Sequence, residues 1–444
     1  MTARIVVGAV RTMDPLQPEA EAVLVVGDRI AAVGSLAQVR AAAPADRVED
    51  HVDGVVLPGF TDAHSHLQRA GLKALQLLGE QADAEEFSAV MHADADGPDW
   101  RGDEPPTLAD RVAGLVRVQP LLHAMGFTGV VDPAVTIPEM RGYRAAHHGG
   151  HLSLRVLAMP YPELGTAAVP GVDEALVHLE GVGVGTGFGD DMLRLGPVKV
   201  YYDGEGMKGE ALLSEPWHGD DHGVQRLGAA EFRRLAEACA VAGWGIGVHA
   251  VGSRAVEEVL DGYEHAARLA DLEPLRCQLI HAYLEPSAAS MARAARLGII
   301  ASLQPSIAWN NAAGLVARLG DRARHVNPLR DWLDAGARLA MGSDAPYFPC
   351  DPRALVHTAT TRRMDGLDAP LGPEQSITVL EAVAGYTTGA AHAGLADDRR
   401  GMLRAGFLAD WTALDVDPGR CSADQFRAAR VLRTVVGGAT VFVS

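Results

Sequence analysis

The chain of 444 residues has 57 acidic and 39 basic side chains, and its formal net charge of −18 at pH 7 excludes a nucleic-acid surface and favours a small neutral or cationic substrate. Its four cysteines are scattered without CxxC spacing, which excludes a disulfide framework and a thiolate metal site. No apolar run has membrane-spanning length, and no leader pattern precedes the strand-like ARIVVGAV. We therefore expect a cytoplasmic protein that has no membrane partner and that can form a homo-oligomer.

Both ends of the sequence are typical of β hairpins. EAVLVVGDRIAAVG has a Gly-Asp turn between two apolar runs, and RVLRTVVGGATVFV has a Gly-Gly turn. These patterns predict a small β-sandwich-like module formed by residues 1–56 together with 396–444, around a separate domain at 57–395.

Between the two ends, β-rich runs alternate with amphipathic helical segments. Helical patterns such as GAAEFRRLAEACAVAG and SRAVEEVLDGYEHAARL separate several of the runs. The eight runs are GVVLPGFTDAHSH, GFTGVVDPA, LSLRVLAMP, GPVKVYYDG, WGIGVHAVG, CQLIHAYL, GIIASLQPS and ARLAMGSDA. Eight β/α repeats predict an α/β fold of the (β/α)8 TIM barrel type. The acidic stretch at residues 74–115 is expected to form a long loop over the barrel mouth.

The first run ends in two histidines, one residue apart. If Val55 to His66 forms one strand, the imidazoles of His64 and His66 project from the same face at its carboxyl end. Two neutral imidazoles that converge on one point indicate a metal site. The alternative is a pair of polar residues at a strand end, and these residues alone do not decide between the two interpretations.

Functional residues of such barrels lie at the carboxyl ends of the strands. A single buried histidine there is more often a hydrogen-bonded core residue than a ligand. Here six ionisable residues end five different strands, which favours a metal centre, and they are His64, His66, Lys199, His249, His281 and Asp344. Zinc, one or two ions per chain, suits these nitrogen and oxygen ligands, with iron, manganese or nickel as alternatives.

Lys199 is unusual because it interrupts an apolar strand in a chain where only three of the 39 basic residues are lysines. A buried lysine is costly unless it is paired or neutral. A neutral amine can add carbon dioxide and become a carbamate, a carboxylate-like bridge between two metal ions, which arginine cannot do. The alternative is an ordinary ion pair of Lys199 with Asp203 or Glu205.

Longer motifs extend through nearly the whole chain, including RTMDPLQPEAEAVLVVGDRIAAVG, LPGFTDAHSHL, SEPWHGDDHG, GVHAVGSRAVEEVL, LIHA, GSDAPYFPCDPR and GMLRAGFLADWTALDVDP. In this combination they resemble the amidohydrolase superfamily, and within it the YtcJ-like branch called amidohydrolase family 3, which includes N-substituted formamide deformylases. The resemblance implies a metal-dependent barrel with a β module made from both termini. The chain departs from the family at Ser253, where Asp is usual, and in a short segment between strands one and two.

Carried over by motif, the resemblance implies that His64 and His66 bind one metal, Lys199 is the carboxylated bridge, and His249 and His281 hold the second metal. Asp344 is implied to be both a ligand and the residue that moves a proton from the attacking water to the leaving nitrogen.

The implied activity is that of a metal-dependent hydrolase that cleaves a non-peptide C–N bond, amide or N-formyl-like, in a small molecule. One alternative is a deaminase of an amino-heterocycle, usually with one metal and no bridging lysine. Another is an inactive scaffold, which should have lost ligands. Candidate substrate contacts at the strand ends are Gln304, Trp217, Trp309 and Tyr347, although aromatic residues there also commonly pack loops.

Overall fold

The computed structural model of the chain describes residues 3–92, 104–181 and 183–444. The strands are β1 (Ala3–Arg11), β2 (Glu19–Val26), β3 (Arg29–Gly34), β4 (Val48–Pro58), β5 (Phe60–Asp62), β6 (Phe127–Val135), β7 (Arg155–Pro160), β8 (Leu193–Leu195), β9 (Val198–Tyr201), β10 (Ile246–Gly252), β11 (Gln278–Leu284), β12 (Ile300–Leu303), β13 (Leu339–Met341), β14 (Trp411–Leu414), β15 (Val431–Val436) and β16 (Ala439–Val443).

The helices follow the strands in alternation through the middle of the chain. They are α1 (Leu36–Ala42), α2 (Leu67–Leu77), α3 (Ala84–His92), α4 (Leu108–Ala124), α5 (Ile137–His148), α6 (Val172–Gly181), α7 (Ala229–Val241), α8 (Ser253–Ala266), α9 (Ala288–Arg296), α10 (Pro305–Leu319), α11 (Leu329–Asp334), α12 (Pro352–Thr361), α13 (Val379–Ala384), α14 (Ala390–Ala393) and α15 (Ala423–Arg427). In the described parts of the chain, no helix has both the length and the apolar character that a membrane crossing needs.

Strands from both termini form one seven-stranded sheet, in the order β16-β15-β14-β4-β1-β2-β3. The two predicted hairpins are present as β2–β3 and β15–β16, and β1 pairs in parallel with β4 while β14 pairs antiparallel with its other edge. The two termini therefore share one module.

The predicted (β/α)8 barrel is confirmed. Its strands lie in two sheets, β5-β6-β7-β8 and β9-β10-β11-β12-β13, of which the short β8 is additional to the eight predicted strands. Strands β8 and β9 join the sheets covalently, since only Gly196 and Pro197 separate them. The two sheets also meet between the ends of β5 and β13. There the backbone N–H of Ala63 donates to the carbonyl of Met341 at 3.0 Å, and the backbone N–H of Asp344 donates to the carbonyl of His64 at 2.7 Å. The strands are parallel, so their carboxyl ends meet on one rim.

The first predicted run is not one strand. It divides at Gly59 into β4, which belongs to the terminal sheet, and β5, which belongs to the barrel and ends at Asp62. A side chain at position 59 would meet Thr128 at 2.2 Å, so the close approach of the neighbouring strand requires glycine here. His64 and His66 consequently lie in the turn after β5, and His66 is the N-cap of α2.

The predicted long loop at residues 74–115 is also wrong in part. Helix α2 continues to Leu77, α3 covers much of the acidic stretch, and α4 begins at Leu108 behind the capping residue Thr107. Residues 93–103 of that stretch lie outside the described residues.

A buried ion pair fastens the terminal sheet to the barrel. Arg155 on β7 donates two hydrogen bonds to Asp410, at 2.6 and 2.9 Å, and Arg400 approaches the same carboxylate at 3.2 Å. Asp410 also accepts the backbone N–H of Gly437 in the β15–β16 turn at 2.8 Å. Such bidentate, charge-assisted contacts fix orientation as well as distance.

Candidate metal centre

The turn that follows β5 is shaped by Asp62, which is 1% exposed. One of its carboxylate oxygens accepts the backbone N–H groups of His64 and Ser343 at 3.0 Å each, and the other accepts the Ser343 hydroxyl at 2.6 Å. Asp62 thus ties the end of β5 to the segment after β13. The side chains of His64 and Asp344 are brought to the same point.

Three of the predicted ligands form a compact cluster. The ligand atoms of His64, His66 and Asp344 all lie within 4.8 Å of one another. Asp344 Oδ1 is 3.3 Å from His64 Nε2 and 3.4 Å from His66 Nε2. His66 donates from Nδ1 to the carbonyl of Pro133 at 3.0 Å, which leaves the lone pair of Nε2 directed at the cluster.

His281 on β11 and His249 on β10 extend this cluster across the barrel mouth. The ring of His281 lies 5.0 Å from that of His64 and 4.6 Å from that of His249, measured between centroids. His281 Nδ1 donates to Gln304 Oε1 at 2.8 Å, so its Nε2 also carries a lone pair. Gln304, predicted as a substrate contact, is 2% exposed and holds this imidazole from behind.

Burial sets the protonation states of the cluster. Desolvation lowers the pKa of His64 to about 4 and lowers the pKa of His66 and His281 below the usual range. For Asp344, burial favours the protonated carboxyl, but the hydrogen bond with His64 is among the contacts that hold its pKa well below the usual range. Neutral imidazoles and an ionised carboxylate are the forms that bind a metal ion.

Lys199 lies on β9, and its ammonium nitrogen is 4.9 Å from the ring centre of Tyr201, which packs on His249. It is 1% exposed, and among the described residues its Nζ has no hydrogen-bond partner. Desolvation lowers its pKa to about 7, against the raising influence of Asp344. At neutral pH a large share of this amine is therefore uncharged.

Among the described residues, Lys199 makes no direct ion pair with Asp203 or Glu205, although the charge of Asp203 raises its pKa. Asp203 accepts three backbone N–H groups instead, those of Leu212, Val251 and Gly252, at 2.9 to 3.0 Å. Glu205 pairs with Lys208 at 3.0 Å. Both carboxylates that the spacing offered to Lys199 are engaged elsewhere.

The donor set fits a divalent metal. His66 Nε2 lies 3.4 Å from Asp344 Oδ1, and His64 Nε2 lies 3.3 Å from the same oxygen. His64 Nδ1 and Lys199 Nζ are buried atoms without hydrogen-bond partners among the described residues. A cation held by the imidazoles and by Asp344 would be bound by nitrogen and oxygen atoms, which are the donors that zinc accepts.

A cavity of about 810 Å³ opens over the cluster. All six predicted ligands line it, and so does Tyr347, one of the predicted substrate contacts. Trp217 packs in an apolar cluster with its indole N–H donated to Ala211 at 2.8 Å, and Trp309 is packed against the same cluster. Neither tryptophan lines the cavity.

Sequence reasoning missed the aspartates at the strand ends. Asp62 ends β5, Asp132 lies in β6, and Asp203 follows β9. All three side chains are almost fully buried. Desolvation raises the pKa of Asp132 to about 8 and of the other two to about 7. Asp132 accepts the hydroxyl of Tyr143 and lies 3.9 Å from His66 Nδ1. The signal was present, since each follows an apolar run at the rim that supplies the ligands.

Ser253, the departure from the family pattern, has a structural role. Its hydroxyl accepts the backbone N–H of Ser214 at 3.0 Å and so fixes the segment that carries SEPW. The acceptor that an Asp would offer at this position is thus retained in a smaller side chain.

Two curated relatives are similar to this chain over much of its length. The N-substituted formamide deformylase of Arthrobacter pascens is 28% identical, and the match covers 97% of this chain and 96% of the relative. Its alignment extends over 538 residues against 444 in this chain. The amidohydrolase YtcJ of Bacillus subtilis (strain 168), whose assignment is described as putative, is 30% identical over 69% of this chain and 56% of the relative.

Solved structures share the fold. An uncharacterized metal-dependent hydrolase from Pyrococcus horikoshii OT3 superposes with a TM-score of 0.77 at 21% identity, covering 95% of this chain and 99% of that one. A sequence profile for a bacterial imidazolonepropionase-like composite domain matches residues 22–45, within the terminal module. The profile described as the amidohydrolase family matches residues 102–442, a range that includes Lys199, His249, His281 and Asp344. The chain therefore belongs to the amidohydrolase family, as its motifs predicted.

Proposed function

We propose that the chain cleaves an amide or N-formyl C–N bond of a small molecule at the centre formed by His64, His66, His249, His281 and Asp344. Its family makes it an enzyme, a metal-dependent hydrolase that acts on C–N bonds other than peptide bonds. The formamide deformylase activity named for the Arthrobacter relative supports the N-formyl assignment. The cavity of about 810 Å³ gives room for a small molecule beside the cluster.

When bound, one or two metal ions, zinc in our proposal, supply a water molecule of lowered pKa and polarise the substrate carbonyl. His64 and His66 hold the ion at the β5 end, and His281 and His249 hold it or its neighbour from β11 and β10. Asp344, ionised and facing the cavity, accepts the proton of the attacking water and delivers it to the leaving nitrogen.

The unpartnered amine of Lys199 is the observation that carries the two-metal form of this proposal. The neutral amine adds to carbon dioxide: an N–C bond forms, one proton is released, and the product is an anionic carbamate. Two oxygen ligands then replace a buried amine that has no hydrogen-bond partner among the described residues. A lysine that served only as a cation would be expected to have an acidic partner within reach.

The substrate class and Lys199 are tested together. Zinc-supplemented protein is screened with formamides and acetamides of aromatic and aliphatic amines, and the products are identified. Release of an amine and a carboxylic acid supports the proposal, whereas release of ammonia alone would assign the chain to the deaminases.

Lys199→Arg and Lys199→Ala should both lose activity and bound metal, and formate should restore part of the activity of Lys199→Ala. Full activity of Lys199→Arg would exclude the carbamate.

The cytoplasmic location and the homo-oligomer expected from the sequence stay predictions. They are checked by fractionation of the native cell and by sedimentation of the purified protein.

A further inference from the structure

Arg69 stands out among the cavity residues because none of the expected roles includes it. It lies on α2 three residues beyond His66, so one helical turn separates it from a ligand. Its side chain is 19% exposed and lines the cavity. The position of this largely buried cation beside the candidate metal centre therefore has to be explained.

The orientation of Arg69 is fixed by a buried carboxylate. Its Nε donates to Glu139 Oε1 at 3.1 Å, and the Glu139 side chain is 8% exposed. The other oxygen of Glu139 accepts the backbone N–H and the hydroxyl of Thr136, each at 2.8 Å, in a capping box at the start of α5. Glu139 therefore holds the plane of the guanidinium and offsets its charge.

The same guanidinium reaches Tyr347. Arg69 Nη1 donates to the Tyr347 hydroxyl oxygen at 3.1 Å. The tyrosine ring lies edge-on to His66, with 5.5 Å between centroids, and its backbone N–H donates to Asp344 at 3.1 Å. The contact with Asp344 is to its backbone carbonyl oxygen, so the turn after β13 and the ring of His66 place the tyrosine, and Arg69 contacts its hydroxyl.

A phenol whose oxygen accepts a hydrogen bond from a cation becomes a stronger donor through its own proton. Tyr347 lines the same cavity as His66 and Asp344, so a substrate bound there lies beside this phenol. Negative charge develops on the carbonyl oxygen of an amide when water adds to it, and fixed donors stabilise that charge.

We propose that Tyr347 donates a hydrogen bond to the carbonyl oxygen of the substrate, most strongly in the tetrahedral state, and that Arg69 is the positioning residue that holds it there. This role rests on the proposed amide hydrolysis. Glu139 acts through Arg69 and touches no substrate.

The test measures catalysis and binding separately. Turnover of formanilide by the zinc-loaded protein is followed by aniline release. Independently, calorimetry measures the affinity of methylphosphonate, a tetrahedral anion that resembles hydrated acetamide. Tyr347→Phe should lower kcat roughly 10- to 100-fold with little change in KM, and weaken methylphosphonate binding by a similar factor. Arg69→Met should do the same, and the double variant should be no worse than the poorer single variant.

The matched control is Arg330→Met, which removes another partly buried arginine that joins two helices, through Glu381 at 2.6 Å, but lies outside the cavity lining. It should lose stability without losing kcat or methylphosphonate affinity. If Arg69 only holds α2 against α5, Arg69→Met will behave like this control and Tyr347→Phe will match the wild type, which would overturn the proposal.

Failure of the proposed hydrolysis gives a different result. A wild-type protein that turns over no amide but binds methylphosphonate in a manner dependent on Tyr347 would refute the amide substrate and keep the donor role. Absence of methylphosphonate binding to the wild type, or equal binding by Tyr347→Phe, would refute the donor role whatever the turnover.

Discussion

Replacing Lys199 by Met should stabilise the metal-free protein while abolishing its function. The side chain is 1% exposed, and burial lowers its pKa from 10.5 to about 7. At about 1.4 kcal/mol per pKa unit, the folded protein disfavours the charged amine by roughly 5 kcal/mol. Met fills a similar volume without a charge, so it avoids this penalty.

The lowered pKa of Lys199 determines how the free energy of unfolding changes with pH. Below pH 7, Lys199 is protonated in both the folded and the unfolded chain, and the full penalty acts on the folded state. Between about pH 7 and 10.5, only the unfolded chain retains the proton, so rising pH favours folding. From pH 6.5 to 9.5, the free energy of unfolding of the wild type should therefore rise by about 3 kcal/mol relative to Lys199→Met.

The assay is guanidinium unfolding of chelator-treated protein in buffer free of carbon dioxide, followed by tryptophan fluorescence. Asp62 and Asp132, whose pKa burial raises to about 7 and about 8, titrate in both proteins, so their contributions cancel in the difference. Asp203 raises the pKa of Lys199, so its interaction with the amine is part of the measured difference. Lys208→Met removes a lysine that is 52% exposed and should show no pH-dependent difference. Parallel curves for wild type and Lys199→Met across this pH range would refute the reasoning.

Three further outcomes are expected. Elemental analysis of protein made with added zinc should find about one to two divalent ions per chain, and none in well-folded protein would count against the centre. His64→Asn combined with His66→Asn should lose metal and hydrolysis but keep a native near-UV circular dichroism spectrum, because the large core does not depend on the ion; near wild-type hydrolysis would remove the assignment. Gln304→Leu should weaken metal affinity roughly 10- to 100-fold in competition with a chelator, since it frees Nδ1 of His281. Unchanged metal affinity with a raised KM would instead restore Gln304 as a substrate contact.

The barrel and the convergence of the predicted ligands on one cavity were predictable because both depend on local patterns. Several of the β-rich runs are largely apolar and carry a histidine or an aspartate towards the carboxyl end, and parallel strands of one barrel must present those ends together. This rule brought His249, His281 and Asp344 to one rim without knowledge of any contact between them. The hairpin turns at Gly27 and Gly437 follow in the same way from residues that tolerate positive φ.

The remaining features depend on contacts between distant residues. Glycine is needed at the break between β4 and β5 because Thr128, far along the chain, approaches position 59 too closely for a side chain. Gln304 was expected in the substrate pocket, yet it serves His281, since a polar side chain at a strand end can face a ligand or the substrate. The left-handed backbone of His281 and Asp344, with φ of 78° and 60°, has no sequence signal, because each is held by its surroundings at a cost of ~1–3 kcal/mol.

The shared terminal sheet imposes an order on biosynthesis. Strand β4 ends at Pro58, but its antiparallel partner β14 begins at Trp411, so about 350 residues are made between them. At roughly 5–20 residues per second, the ribosome needs on the order of 20 to 70 s to deliver that partner. During this interval β1 to β4 can pair only among themselves, and the far edge of β4 stays open to other chains. Nascent chains should therefore need chaperone protection at this edge until β14 emerges and the sheet closes across it.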